Sequence, residues 1–186
     1  MEFRRLDISD VIIILPRRFS DGRGWLSETW SAPRFAEIGI DLPFVQDNHS
    51  YSRQAGTVRA LHFQLPPHAQ AKLVRVLRGA AFDVAVDLRR GSPSYGRYVT
   101  TTLTAERGEE LFIPVGFAHG FSTLEPDTEV FYKVDKPYAP AADSGLLWND
   151  PDLAIPWPVQ REAAILSEKD GKLPHFADFK SPFSYP

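Results

Sequence analysis

The sequence predicts an all-β fold, an antiparallel jelly roll with a few short helices. The first observation is the middle third of the chain, where short strand-like runs follow one another at residues 72–77, 81–88, 97–103, 110–113, 117–124 and 128–134. They are separated by R-G, R-G-S-P-S-Y-G, A-E-R-G, P-V-G and E-P-D, and short strands with Gly and Pro punctuation indicate an antiparallel sandwich or barrel. The second is period. In A-F-D-V-A-V-D-L, Phe82, Val84, Val86 and Leu88 share one face and Asp83 and Asp87 the other, as in a strand with one apolar and one polar side. Aspartates facing inward need partners; facing outward they need none. The third is size, since 186 residues with 43% hydrophobic content can bury about 70% of their unfolded surface in one core. One domain over residues 1–186 is expected, with an irregular C-terminal extension from about residue 139.

In chain order, V-I-I-I-L at residues 11–15 is a strand stopped by Pro16. S-D-G-R-G then turns the chain, which projects Arg23 from a loop and Glu28 from the strand after it. Ser31, Pro33 just inside, and Gly39 bound the best helix candidate, with an N-cap serine and a terminating glycine. F-V-Q-D-N-H-S reads as a polar strand, and R-Q-A-G turns into V-R-A-L-H-F-Q. Beyond Tyr138 the alternation fades into irregular chain with two tryptophans and a Pro- and Phe-rich tail, composition suited to packing over the body or over a partner subunit. L-S-E-K-D-G carries a helical turn.

Composition removes several classes of function. The net charge is −3 with the basic residues scattered, so neither nucleic acid nor a membrane is an expected partner. There is no cysteine, hence no disulfide and no thiolate metal site, which fits a cytoplasmic chain. The longest apolar run, residues 11–15, is far shorter than the roughly 18 residues that span a bilayer, and M-E-F-R-R-L-D lacks the apolar stretch of a signal peptide.

Chemistry concentrates between residues 58 and 79. His62 lies in one short strand and Lys72 opens the next after a Pro-Pro loop, so the two are expected to meet across neighbouring strands. A neutral imidazole beside a fixed ammonium suits removal of a proton next to a carbonyl and stabilisation of the resulting enolate. The same two residues alone also fit a half-buried strand histidine and a surface lysine. I-P-V-G-F-A-H-G-F adds His119 at the start of a strand and resembles the second motif of the cupin superfamily, while L-H-F-Q and Gly79 resemble the first. Metal-binding cupins carry H-x-H and then Glu there. Here Gln64 replaces the second His and Lys72 lies near the Glu position, and a cation beside the ligands repels a divalent ion. No metal and no cofactor is expected.

The ordered set V-Q-D-N-H-S, R-A-L-H-F-Q, K-L-V-R, G-A-A-F-D-V-A-V-D-L-R with S-P-S-Y-G, I-P-V-G-F-A-H-G-F, F-Y-K-V, L-W-N-D-P and L-S-E-K-D resembles the dTDP-4-dehydrorhamnose 3,5-epimerase family over about residues 3–172. The resemblance implies a cupin-like double-stranded β-helix, free of metal and cofactor, that inverts C3 and C5 of dTDP-4-dehydro-6-deoxy-D-glucose for dTDP-L-rhamnose synthesis. It also implies a homodimer with exchanged strands. By resemblance, His62 is the base, Tyr132 the acid on the opposite face, and Lys72 the enolate stabiliser, with a nearby lysine able to lower the phenol pKa. Asp170 orients His62, with Asp83 as competitor for that role or as partner of His119. The dTDP-4-keto-6-deoxyhexose is assigned to Phe19, Arg23, Glu28, Gln46, Asn48, Arg59, His119, Tyr138, Asp143 and Lys169.

Arg59 and Lys169 equally suit solvated charges, and Tyr132 a cross-strand packing aromatic. Strict alternation puts Arg59, three residues before His62, on the opposite face, so the strand must bulge there or Arg59 must reach round its edge. Ala60 stands where the family has Gly, a methyl expected near the sugar, and Asp143 stands where Glu is common. The alternatives are a mono-epimerase of C3 or C5 on a related 4-keto sugar nucleotide, and a non-catalytic sugar-nucleotide-binding jelly roll.

Overall fold

The computed structural model describes all 186 residues. The strands are β1 (Glu2–Arg5), β2 (Ile12–Leu15), β3 (Arg18–Asp21), β4 (Gly24–Ser27), β5 (Gln46–Ser52), β6 (Val58–Gln64), β7 (Lys72–Arg78), β8 (Ala80–Asp87), β9 (Tyr98–Thr104), β10 (Glu110–Ile113), β11 (Phe117–Thr123), β12 (Thr128–Val134) and β13 (Asp143–Gly145), with one α-helix, α1 (Ala32–Ala36). Two antiparallel sheets face each other, β1-β2-β10-β7-β12-β5 and β13-β6-β11-β8-β9, and β3 and β4 form a separate hairpin. This is the jelly roll expected from the strand spacing. No helix is long and apolar enough to cross a membrane.

Alternation decides what fills the space between the sheets. Val74 and Val76 of β7, Leu111 and Ile113 of β10, Ala81 and Ala85 of β8, and Phe117 and Phe121 of β11 pack into one interior cluster. The opposite face of β8, carried by Val84 and Val86 with Leu88 just beyond, packs under the C-terminal extension through Leu146, Trp148, Leu153 and Phe183. Outside the other sheet, Ile12, Ile14, Leu73 and Phe112 are covered by Phe35 of α1 and by Ile40. Both faces of β8 are therefore buried, and its two aspartates are inward and paired: Asp83 with His119, and Asp87 with Arg89, Ser92 and Ser94.

The extension is tied to the body by main chain as well as by apolar contact. Leu61 N–H donates to Leu146 O at 3.0 Å and Leu146 N–H returns to Leu61 O at 2.9 Å, while the Leu146 side chain is fully buried. Leu146→Ala is expected to lower unfolding stability by about 2–5 kcal/mol, because truncating a fully buried side chain loses its apolar contacts and leaves a cavity; chemical denaturation checks this.

Three strands escape the pattern reading. β1 is exposed along its whole length, β3 has no buried residue to mark a core face, and the D-S-G of β13 is a strand only because it pairs with Gln64, Phe63 and His62. The helix is shorter than its sequence limits: Ser31 makes no side-chain cap bond, and the chain leaves helical geometry before Gly39, which takes φ +86°. Gly79 in the R-G turn takes φ +74°, and a Cβ there would come within 2.5 Å of Thr128 Oγ1, so that turn needs glycine.

Candidate active site

A cavity of about 550 Å³ opens between the two sheets. His62 reaches it from β6 and His119 from β11, while Lys72 and Tyr132 reach it from β7 and β12 in the opposing sheet. His62 and Lys72 are thus not on neighbouring strands, contrary to the sequence expectation. The loop after Gln64 carries the chain from one sheet to the other, so the two residues meet across the sandwich, where Lys72 Nζ donates to the His62 carbonyl at 3.2 Å.

The Arg59 question is resolved by a bulge. His119 is opposite His62 and Phe121 is opposite Arg59, so two steps on β11 match three on β6. The extra residue turns Arg59 and His62 to the same side, and both line the cavity. Ala60 and Leu61 face out into the cluster under the extension. The additional methyl of Ala60 therefore does not approach a ligand, correcting the sequence expectation. It fills the space that Gly120 leaves, where a Cβ would fall 2.3 Å from Ala60 Cβ.

The tail brings Asp170 to His62. Ile165 pairs with Thr57 beside the start of β6, Ser167 Oγ accepts the Asp170 N–H at 3.1 Å, and a 3-10 turn follows at Asp170–Lys172. His62 Nε2 and Asp170 Oδ1 are 2.8 Å apart. Burial raises the Asp170 carboxyl, but the hydrogen bond from His62, its charge and the bonds from Ser167 and the Ala60 main chain outweigh this and hold it below the usual range. An ionised Asp170 accepts the Nε2 proton and leaves Nδ1 as the basic nitrogen. Asp83 instead holds His119, with Nε2 at 3.0 and 3.1 Å from its two oxygens. Burial lowers the His119 pKa against the upward pull of Asp83, which favours a neutral ring.

Lys72 is enclosed. Burial draws its pKa from 10.5 down to about 8, against the upward pull of Asp83 and Asp143. That displacement means on the order of 3 kcal/mol against holding a charge in the interior, the kind of perturbation found at functional sites. Tyr132 is shifted the other way: burial raises its pKa, the Arg59 charge draws it back and Asp143 raises it further. The phenol is thus protonated at neutral pH. The expected lowering by a neighbouring lysine does not occur, because burial dominates and the cation that acts on the ring is Arg59.

Of the other residues assigned by resemblance, Gln46, Asn48, Tyr138, Asp143 and Lys169 also line the cavity. Asp143 accepts from the Tyr138 hydroxyl at 2.8 Å and pairs with Lys169, and Gln46 holds Asn48 at 2.9 Å. Phe19, Arg23 and Glu28 do not join them. They sit on or beside the β3–β4 hairpin, where Arg23 is paired with Asp21 and Glu28 with Arg34. Sequence reasoning missed Ser50, Gln70, Phe121 and Ser167 in the lining; Ser50 was legible, since it shares the face of Gln46 and Asn48 at intervals of two. No group of three or more His, Asp or Glu side chains is arranged to hold a metal ion.

Asp170→Asn is expected to reduce turnover by about 10²-fold or more, since the amide can also present its N–H to Nε2 and favour the wrong tautomer. A pH–rate profile together with kcat checks it; unchanged turnover would remove Asp170 from the site.

Fold and site together define a jelly-roll protein equipped for acid–base chemistry on a polar ligand of sugar size. Across residues 5–178 the chain matches the family model described as dTDP-4-dehydrorhamnose 3,5-epimerase, and it belongs to that family. A dTDP-4-dehydrorhamnose 3,5-epimerase of Sinorhizobium fredii is 50% identical over 185 residues, 100% of this chain and 94% of the relative. The crystal structure of dTDP-4-dehydrorhamnose 3,5-epimerase from Bacillus anthracis, with TDP and PPi bound, superposes with a TM-score of 0.90 at 46% identity, covering 94% of this chain and 99% of that one. That of dTDP-6-deoxy-D-glucose-3,5-epimerase from Legionella pneumophila, in complex with dTDP-4-keto-L-rhamnose, gives 0.94 at 39% identity over 100% and 98% of the two chains.

Proposed function

We propose that this chain inverts C3 and C5 of dTDP-4-dehydro-6-deoxy-D-glucose to give dTDP-4-dehydro-L-rhamnose. The observation that carries the reading is the single cavity walled by His62 on one sheet and by Tyr132 and Lys72 on the other. The ligands of the Bacillus and Legionella relatives, TDP with PPi and dTDP-4-keto-L-rhamnose, support the substrate class.

The C4 ketone acidifies the hydrogens on C3 and C5. His62, with Nε2 engaged by Asp170, takes one of them on Nδ1, and the electron pair moves onto the C4 oxygen as an enolate. The Lys72 ammonium, itself buried, faces that oxygen, and a fixed charge held out of water stabilises more than it does in water. Tyr132 returns a proton to the carbon from the other side, and the configuration inverts. His62 then gives its proton to solvent and the Tyr132 phenolate regains one from solvent, and a second round at the other carbon completes the conversion. Every step is proton transfer with no change of redox state, and the groups it needs are side chains of this protein. The Arg59 guanidinium suits the diphosphate, and the ring of Tyr138 suits the thymine.

Phe19, Arg23 and Glu28 act in this reading on a second copy of the chain. The β3–β4 hairpin pairs with neither main sheet and exposes Leu26 at 74% and Trp25 at 55%, more apolar surface than a free hairpin tip keeps in water. In a homodimer with exchanged strands, the hairpin of one protomer lies over the partner's cavity and brings these residues to the nucleotide end. Light scattering at micromolar concentration is expected to give twice the 20.9 kDa chain mass, and a monomeric mass contradicts the dimer.

Incubation with dTDP-4-dehydro-6-deoxy-D-glucose, followed by proton NMR of the hexose ring, tests the activity. Couplings of the L-configured product are expected to accumulate. Inversion at one carbon alone makes the protein a mono-epimerase, and an unchanged spectrum removes the reading.

A further inference from the structure

Gln64, at the place where H-x-H carries its second imidazole, has no part in the steps above. Its side chain is almost fully buried at the cavity wall. Nε2 donates to the carbonyls of His68 at 2.7 Å and Pro137 at 3.3 Å, and Oε1 accepts the Ala139 N–H at 2.7 Å. A primary amide makes about four hydrogen bonds, so three to main chain leave little for a ligand. The bonds to Pro137 and Ala139 flank Tyr138 on both sides and precede Asp143, which is the register partner of Gln64 itself.

We infer that Gln64 is a positioning residue: it fixes the segment from Pro137 to Asp143 as a wall of the cavity and so sets affinity for the sugar nucleotide rather than the rate of proton transfer. This rests on the epimerase reading for the identity of the ligand. The physical ground is that main-chain groups buried without partners are costly, so the wall shifts outward to find water when the amide is removed. The other side-chain holds on or beside this segment, Gln46 Oε1 to the Tyr138 N–H, Gln70 Nε2 to the Lys136 carbonyl and the Lys169–Asp143 ion pair, lie toward the exposed rim, where water competes for the same groups. The base, acid and ammonium are carried by strands that Gln64 does not hold through its side chain.

Two variants test this in the full chain. Gln64→Leu is expected to raise KM for the 4-keto sugar nucleotide about tenfold and weaken dTDP binding similarly, with kcat within about twofold. Amide hydrogen exchange at residues 136–142 is expected to accelerate about tenfold or more while β8 and β11 stay protected. In Gln64→Glu a protonated carboxyl donates to one carbonyl and accepts from Ala139, whereas the ionised form faces two carbonyl oxygens. Its KM is therefore expected to approach wild type at low pH and to rise with pH. A fall in kcat at unchanged KM, unchanged exchange at 136–142, or loss of protection throughout both variants overturns the inference. If the wild-type chain fails to turn over the substrate, the epimerase reading is lost, and the exchange measurement still decides whether Gln64 anchors the wall.

Discussion

His62→Ala is expected to lower turnover by about 10²–10⁴-fold, the contribution of a positioned general base, while dTDP affinity changes less than about threefold. The split follows from geometry. The imidazole lies at the bulged part of β6 facing the cavity, with Nε2 committed to Asp170, whereas Tyr138, Asp143 and Lys169 form a separate hydrogen-bonded group in the same wall. Removing the ring also leaves the Asp170 carboxylate, now short of its strongest partner, in a largely buried place. Some loss of stability is therefore expected alongside the loss of rate, and single-turnover kinetics on folded protein separate the two. Turnover within tenfold of wild type, with binding intact, would assign the base elsewhere.

Lys72→Met is the second large effect. The substitution keeps the length of the stem and removes the charge, so turnover is expected to fall by about 10²–10³-fold, the range for loss of one stabilising group at a developing oxyanion. Stability is not expected to fall with it. The interior depresses the Lys72 pKa from 10.5 to about 8, which means that the charged form is disfavoured on folding and that an apolar replacement relieves the penalty. The same displacement fixes the sign of the pH dependence. Below pH about 8 the ammonium is present for the proposed enolate oxygen; above it the neutral amine predominates and turnover is expected to fall. An alkaline limb near pH 8 in wild type, absent from the residual activity of Lys72→Met, is expected. A wild-type rate that stays level to pH 10 would show that this charge is not used.

The strand ladder was legible because the middle strands are short and separated by turns that carry Gly or Pro, and because A-F-D-V-A-V-D-L alternates; the match is within a residue or two from Lys72 to Val134. β13 was not, since D-S-G has no pattern and exists as a strand only through its pairing to β6. Most residues assigned to the site line the cavity, Phe19, Arg23 and Glu28 excepted, but its layout was not legible. Periodicity cannot reveal that β6 and β7 belong to different sheets, nor that one extra residue between Arg59 and His62 brings both to one face. Ala60 shows the same limit: a methyl counted toward the ligand points into the outer core opposite Gly120. The tyrosine pKa was misjudged because burial is a property of the packed sandwich, and sequence spacing carries only the neighbouring charges.

The most direct measurement is solvent isotope exchange. The chain is incubated with dTDP-4-dehydro-6-deoxy-D-glucose in deuterium oxide, and label is read at each ring carbon by NMR. Deuterium at both C3 and C5, lost in His62→Ala, is expected if one imidazole opens both carbons beside the ketone and solvent-derived protons close them from the other wall. Recovery of the hexose with hydrogen at both positions contradicts carbanion chemistry in this cavity.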